Sequence, residues 1–140
     1  MKTTFFTFLI AAGVLISCGQ SRNNSAQNAD DSDSATAVIT FNEYEHSFGT
    51  VREGRKLRHT FTFENTGAGS LVIQSVRTTC GCTVPRYDRK PVASGKAGKI
   101  EVELDTSGRN GMQSQTITVT SNATVPVVIL RITADVSRTN

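Results

Sequence analysis

Hydrophobic and polar residues alternate along most of the chain after Ala37, and no stretch follows the period of a helix. In Leu57 to Glu64, leucine, histidine and phenylalanine alternate with arginine, threonine and glutamate, which indicates a strand with one buried face. Ile100 to Leu104 and Ile117 to Val119 alternate in the same way. The pattern therefore predicts β-strands and no helices.

Seven apolar stretches of this kind are separated by turn signals rich in Gly, Asn and Ser. They are Val38–Phe41, Tyr44–Val51, Leu57–Glu64, Leu71–Arg77, Ile100–Leu104, Ile117–Val119 and Val125–Val136. Residues 78–98 lack the pattern, and we expect them to be irregular. About seven short strands with turns between them predict an all-β, immunoglobulin-like sandwich. We expect antiparallel sheets because the connections are too short for crossover helices.

The alternation also predicts which side chains form the core. Phe61 and Ile132 fall on apolar faces, and we expect both to be buried on facing or neighbouring strands. In Leu71 to Arg77, we expect Leu71 and Ile73 on one face and Val72 and Val76 on the other.

The beginning of the chain looks like a bacterial lipoprotein signal. Lys2 supplies a positive charge, Phe5 to Ile16 form an apolar segment too short to span a bilayer comfortably, and Ser17 precedes Cys18. We therefore predict a signal peptide at residues 1–17 and a lipid anchor on Cys18. An ordinary secretory signal or a short uncleaved anchor is the alternative.

Residues 18–36 are predicted to form a tether in front of a folded domain at residues 37–140. From Gly19 onward the tether has no large apolar residue, so we expect it to be disordered. Asp33, Ser34 and Ala35 resemble a short bacterial O-glycan acceptor, which makes Ser34 a candidate against the simpler interpretation of a solvated linker. The residues after Cys18 do not resemble an acidic surface-export signal. We expect an outer-membrane anchor that faces the periplasm.

Composition argues against two classes of protein. The chain carries 15 Lys and Arg against 12 Asp and Glu among its 140 residues, whereas a nucleic-acid binder usually has a denser basic surface. Its Val, Ile, Leu and Phe content excludes an acidic disordered chain. The densest basic group is a candidate contact for anionic glycan or lipid head groups, although a solvated hairpin is the simpler interpretation. Its members are Arg52, Arg55, Lys56 and Arg58.

Two cysteines other than Cys18 are present, Cys80 and Cys82, with Gly81 between them. Free thiols rarely persist in an oxidising periplasm. A bridge between them requires a bent backbone, which Gly81 permits, and would be strained and easily reduced. Four interpretations stay open: a local disulfide, redox exchange through a mixed disulfide, binding of a soft ion such as Cu(I), and inert reduced thiols. The pair is the candidate redox or metal site.

The histidines and one lysine-rich turn carry weaker signals. His46 and His59 could complete a Cys₂His₂ zinc set, but the spacing is not that of a zinc finger and His59 falls on an apolar face. We therefore expect core or edge histidines with satisfied hydrogen bonds. Ser94 to Lys99 lacks the upstream glycine of a P-loop and precedes a strand, so we interpret it as a turn.

Seven stretches form a further pattern: Tyr44–Val51, Phe61–Gly67, Cys80–Pro85, Ser94–Gly95, Lys99–Val102, Ile117–Val119 and Ser121–Asn122. Together they resemble domain-of-unknown-function family 1573 over about residues 38 to 136. The family is bacterial, often lipidated and taken to be immunoglobulin-like, similar to PapD and major-sperm-protein sandwiches. The resemblance implies that fold and an envelope location but no reaction, because the family's biochemical role is not established. Ser94 departs from the family, which tends to have proline before this glycine.

The sequence predicts neither an enzyme nor a cofactor, because it has no Ser/His/Asp set, paired-carboxylate motif or metalloprotease helix. We expect a membrane-tethered binding or scaffolding module for an envelope protein or a glycan, without nucleic acid. By analogy with pilus chaperones, an exposed sheet edge could accept a strand. The alternative is a thiol-redox or copper-handling lipoprotein that acts through Cys80 and Cys82. The oligomeric state does not follow from the sequence.

Overall fold

A computed structural model describes residues 35–138, which form two four-stranded β-sheets that share one core. The strands are β1 (Ile39–Phe41), β2 (Glu45–Arg52), β3 (Lys56–Asn65), β4 (Ile73–Thr78), β5 (Thr83–Tyr87), β6 (Ala97–Asp105), β7 (Gly111–Ser121) and β8 (Val127–Ser137). The order is β1-β3-β6-β5 in the first sheet and β2-β8-β7-β4 in the second. The predicted β-sandwich is confirmed, with eight strands in place of about seven. Within residues 35–138, no helix is long and apolar enough to cross a membrane.

The core lies between the sheets and consists of the inward-facing residues of nearly every strand. Phe61 of β3 and Ile132 of β8 are both fully buried, one from each sheet, as the alternation predicted. Burying one such side chain contributes about 1.5–3 kcal/mol. Arg58, three residues before Phe61, points to the solvent face of the same strand.

The segment of residues 78–98, expected to be irregular, contains β5 and the start of β6. Pro85 lies in the middle of β5, and a proline speaks against a central strand because it has no N–H to donate. β5 is nevertheless possible because it is the outermost strand of its sheet and pairs with β6 alone. The proline therefore occupies a position where the missing N–H faces away from β6.

The expected division of faces in Leu71 to Arg77 is wrong for Val76. Ile73 and Val76 are both buried, although three residues separate them. The pairing of β4 with β7 shifts register between Ile73 and Ser75. Such a bulge reverses the face of the sheet to which the following side chains point. Leu71 is buried like Ile73, as expected.

One pair of strands departs from the predicted antiparallel arrangement. β2 runs parallel to β8, with Glu45 opposite Arg131 and Arg52 opposite Ser137. A parallel pair needs a long connection, and here almost the whole domain lies between the two strands. Short connections therefore exclude parallel pairing only between strands that follow each other closely in sequence.

Asn65 connects three parts of the first sheet from a fully buried position. Its side-chain amide donates to the carbonyls of Gly69 (2.7 Å) and Val92 (2.9 Å). Its side-chain oxygen accepts from the N–H of Gly67 (3.1 Å) and of Val38 (3.3 Å). The glycines are required because a Cβ at either position would collide with the backbone that leads into β1. This network gives a physical role to the Asn-Thr-Gly turn after β3.

Candidate functional site

Two sides of the sandwich hold most of the candidate site residues. The closed side, as we call it, is formed by β4, β5 and the loop of residues 79–82 between them. The open side is formed by β1, β2 and β3, where the chain passes from the first sheet to the second through residues 42–44. Cys18 and Ser34, the predicted lipidation and O-glycan residues, lie outside the described residues.

On the closed side, a disulfide and hydrogen bonds fix the cysteine loop to the residues at its two ends. Cys80 and Cys82 are joined by a disulfide, with their Cα atoms 5.3 Å apart. The hydroxyl of Thr78 lies 3.0 Å from the carbonyl oxygens of both Cys80 and Thr83. The N–H of Thr83 donates to the Cys80 carbonyl at 3.3 Å. Gly81 is exposed at the tip, so the loop is both fixed and accessible.

A cation lies beside the disulfide. The Nη2 atom of Arg109 is 3.9 Å from the Sγ atom of Cys80, whereas Cys82 packs against the core. Hydrogen bonds from the Ser107 side chain and backbone hold the pKa of the nearby Asp105 below its ordinary value. Because an adjacent cation favours a thiolate over a thiol, Cys80 is the sulfur better suited to leave when the bridge opens. In the disulfide form the pair has no thiolate to offer a copper ion.

The histidines lie on the open side and are not grouped with the cysteines. His59 points towards the interior of the sandwich, and its Nε2 atom lies 2.8 Å from Oε1 of Glu43. The predicted satisfied hydrogen bond of His59 is therefore confirmed. Among the described residues, the group whose ligand atoms come together comprises Glu43, His46 and His59, and neither cysteine belongs to it. Sequence reasoning missed Glu43 because it lies in the β1–β2 connection, which has no periodic signal.

The open side leaves part of β3 without a neighbouring strand. β1 pairs with only three residues of β3, after which the Asn42 N–H donates to the Thr62 carbonyl at 3.1 Å. Backbone groups in an antiparallel ladder point alternately to the two sides. The N–H and C=O groups of Lys56, Arg58 and Thr60 therefore point to the same side as those of Thr62. Among the described strands, only β6 pairs with this stretch, on its other side. We call these three residues the β3 edge.

The outermost strands all carry features that discourage pairing with another chain. β1 has three residues. β2 has a register irregularity between Ser47 and Thr50, where Gly49 has a φ of 67°. β4 has its own register shift, and β5 contains Pro85. The β3 edge has no bulge and no proline, so it is the regular open edge among the described residues.

The predicted basic group divides into two pairs. Its four members, Arg52, Arg55, Lys56 and Arg58, are all exposed. The Nε atom of Arg58 lies 2.6 Å from Glu103, and the Nζ atom of Lys56 lies 3.9 Å from it. The hydrogen bond from Arg58 holds the pKa of Glu103 below its ordinary value. Arg52 and Arg55 form no ion pair within residues 35–138, so they are the cations best placed to meet an anionic partner.

The lysine-rich segment is a turn, as predicted. Gly95 has a φ of 68°, and the Lys96 N–H donates to the Ala93 carbonyl at 3.1 Å. The chain then enters β6 at Ala97. A phosphate loop requires a helix at this point, so the turn does not have that geometry.

The two sheets contain one parallel strand pair, β2 and β8, and the chain passes from the first sheet to the second between β1 and β2. These features define an immunoglobulin-like sandwich of the PapD-like class. Solved structures show the same fold at low sequence identity. A Porphyromonas gingivalis protein of unknown function is 20% identical, with a TM-score of 0.64; the match covers 81% of this chain and 51% of that chain. PapD-like domain 7 of human CEP192 is 10% identical, with a TM-score of 0.60 and coverage of 73% and 87%. A family 123 glycoside hydrolase from Clostridium perfringens is 8% identical, with a TM-score of 0.57 and coverage of 74% and 27%.

Residues 39–136 match the model of the family described as protein of unknown function DUF1573, and the chain belongs to this family. The chain spans about half the length of the Porphyromonas gingivalis protein. No curated protein matches it. The comparisons thus show the family and the fold.

Proposed function

We propose that this protein is an envelope lipoprotein whose sandwich binds an extended segment of a partner protein along the β3 edge. The signal-like start, Cys18 and the polar tether support a lipid anchor that holds the domain near the membrane. The observation that carries the binding proposal is the regular, unpaired backbone at Lys56, Arg58 and Thr60. An extended peptide that adds to such an edge gains affinity from main-chain hydrogen bonds.

The side chains along the β3 edge indicate the chemistry of the partner. Lys56 and Arg58 stand on the solvent face of the sheet, with Arg55 in the adjoining turn. Cross-strand pairs of opposite charge stabilise a sheet, and like charges destabilise it. Arg55, which forms no ion pair within residues 35–138, therefore favours a strand with acidic residues on its solvent face. The positive side chains of the β3 edge oppose the pairing of two copies of this edge.

The binding proposal is tested by photo-crosslinking in cells, with the anchor and tether intact. A photoreactive residue at Arg55 should give an adduct with a partner protein, whereas one at Arg86 on β5 should not. Thr60→Pro removes an outward N–H and should abolish the adduct, while Thr60→Val keeps the N–H and should preserve it. Equal adducts from both positions, or an adduct that survives Thr60→Pro in a folded protein, would contradict the proposal.

The anchor is tested by intact mass. Cys18→Ser should leave a precursor that retains residues 1–17 and has no added lipid, because the thiol is the predicted acyl acceptor. The same cleaved and lipidated mass in the variant would refute the anchor assignment.

A second candidate function, thiol exchange, is favoured by the contact of Arg109 with Cys80. A thiolate of a partner dithiol would attack the Cys82 sulfur, break the bond to Cys80 and release Cys80 as a thiolate beside the guanidinium. The partner's second thiolate would then attack the mixed disulfide and release Cys82. The partner loses two electrons and becomes a disulfide, and Cys80 and Cys82 become the dithiol, the form that binds Cu(I).

Reduction kinetics test the thiol-exchange candidate. Arg109→Gln should slow reduction of the bridge by a small dithiol, because the leaving thiolate loses its cation. Arg52→Gln, which removes a cation on the open side, should leave the rate unchanged. Equal rates in both variants and in the unaltered protein would eliminate the role of Arg109.

A further inference from the structure

Three groups that commonly bind metals meet on the open side, each from a different element. Glu43 lies in the β1–β2 connection, His46 on β2 and His59 on β3. One ligand atom from each lies within 4.8 Å of the other two. His46 belongs to the second sheet and His59 to the first, so the group spans the two sheets where the chain passes between them.

Aromatic contacts hold the two imidazoles in place. Their rings are stacked, with centroids 3.6 Å apart and planes inclined by 10°. Phe48 packs edge-on to His46 at 4.8 Å, and Phe61 packs edge-on to His59 at 4.6 Å. The carboxylate of Glu43 completes the group and contacts both histidines, at 2.8 Å from His59 Nε2 and 3.9 Å from His46 Nδ1. The three side chains are therefore close together, although the two rings lie in parallel planes.

The group contains the types of ligand atom that a divalent transition-metal ion uses. Two imidazoles lie side by side next to the carboxylate of Glu43, so two nitrogen ligands and one anionic oxygen ligand are close together. A neutral imidazole is the form that binds a metal ion.

We propose that Glu43, His46 and His59 form a binding site for one divalent transition-metal ion, with Zn²⁺ as the reference ion. Two imidazole nitrogens and one carboxylate oxygen suit Zn²⁺, Cu²⁺ and Ni²⁺, whereas Mg²⁺ and Ca²⁺ prefer oxygen ligands alone. A bound ion would replace the hydrogen bond between Glu43 and His59, and the His46 ring would have to turn out of the stack for one of its nitrogens to face the ion. Glu43 is the most exposed of the three, with 42% of its side chain accessible, so water can fill the remaining coordination position.

The site is tested by calorimetric titration of the full mature protein, without an affinity tag, with Zn²⁺ at pH 7.5. We expect one Zn²⁺ per chain and a higher unfolding temperature, because the ion binds the folded state and links two sheets. Changing even an outer-shell group typically lowers metal affinity about 10–100-fold, so Glu43→Gln and His59→Gln should lower it at least that much. Glu45→Gln is the matched control, because Glu45 is an exposed neighbour that pairs with Arg131 at 3.2 Å.

Two further measurements separate this site from the cysteines and from misfolding. Cys80→Ser/Cys82→Ser should bind Zn²⁺ like the unaltered protein. With Cu²⁺ in the unaltered protein, electron paramagnetic resonance should show coupling to two imidazole nitrogens, and the chain has only two histidines. The proposal is overturned by an absence of saturable binding, by an affinity that Glu43→Gln leaves unchanged, or by a Cu²⁺ signal without two nitrogens.

Discussion

The closed and open sides of the sandwich differ in how the edges of the two sheets meet. On the closed side, Pro85 removes a donor from β5, and Thr78 and the Cys80–Cys82 bridge tie the preceding loop. On the open side, β1 leaves β3 and β2 joins β8, so the β3 edge is unpaired and the histidine stack fills the space between the sheets. The closed side is fixed by contacts between residues close in sequence. The open side leaves main-chain groups and the side chains of the proposed metal site accessible.

The difference shows where a partner can act on this fold. On the closed side, Thr78, the Cys80–Cys82 bridge and Pro85 all lie within residues 78–87, so the features that fix the loop and protect the edge are close together in sequence. The open side brings together Glu43, His46 and the β3 edge, which belong to separate elements. A ligand bound there would therefore contact both sheets. This difference is the reason that we propose binding on the open side and, as the alternative, exchange chemistry on the closed side.

The largest expected effect comes from the core that both sides share. Phe61→Ala or Ile132→Ala should lower the free energy of unfolding by roughly 2–5 kcal/mol, because truncation leaves a cavity between the sheets. Arg58→Ala, on the solvent face of the same strand as Phe61, should cost less than about 0.5 kcal/mol despite its contact with Glu103. Denaturant titration measures all three. Equal small losses in all three variants would mean that the assignment of buried and exposed positions on these strands is wrong.

Asn65→Ala should have the next largest effect. The change leaves the N–H of Gly67 and the carbonyl of Gly69 without their side-chain partner, and each buried group left unsatisfied costs about 1–3 kcal/mol. Because Asn65 holds β1 beside β3, the variant should also lengthen the unpaired part of β3. Amide hydrogen exchange should therefore rise in β1 and remain unchanged in β5, with Glu64→Ala, a change at the exposed neighbouring residue of β3, as the control. Uniform exchange across both sheets would contradict this local role.

On the closed side, Cys80→Ser/Cys82→Ser should lower the free energy of unfolding by less than about 2 kcal/mol, because the loop that the bridge closes is very short. Far-ultraviolet circular dichroism should stay that of a β-sandwich. Because a bridge between residues two apart in sequence favours the dithiol, its reduction potential should lie well above about −300 mV, the range of structural disulfides. A potential below that value would make the bridge a structural element and weaken the exchange candidate.

The smallest effect is expected from pH on the open side, measured with a chelator present. The pKa of His46 is lowered in the folded state by burial and by His59, against the opposing effect of Glu43. The unfolded state therefore binds more protons, and the stabilising contribution is complete above the ordinary histidine pKa of about 6.5 and lost as the pH falls through the lowered value. His46→Gln should flatten the decline in unfolding free energy between pH 7 and 5. An identical decline in both proteins would remove His46 as its source.

Some parts of this molecule follow from local sequence alone. The burial of Phe61 and Ile132, the exposure of Arg58 and the turn at Gly95 follow from a period of two or from turn chemistry, both of which involve close neighbours in sequence. The inward direction of His59 follows in the same way. These features need no knowledge of which strand lies beside which, so the sequence predicts them correctly.

Other features depend on contacts between residues far apart in the chain, and these become visible in the three-dimensional structure alone. The bulge that buries Val76 arises in the pairing of β4 with β7, and Pro85 is acceptable in a strand because β5 is outermost. Glu43 reaches the two histidines because β1 and β2 belong to different sheets. Alternation within a strand is set by the geometry of neighbouring residues, whereas register, edges and side-chain clusters are set by contacts between residues far apart in the chain. The alternation along the chain therefore predicts the sandwich and its core, whereas contacts between distant residues set which edge stays open and which groups meet there.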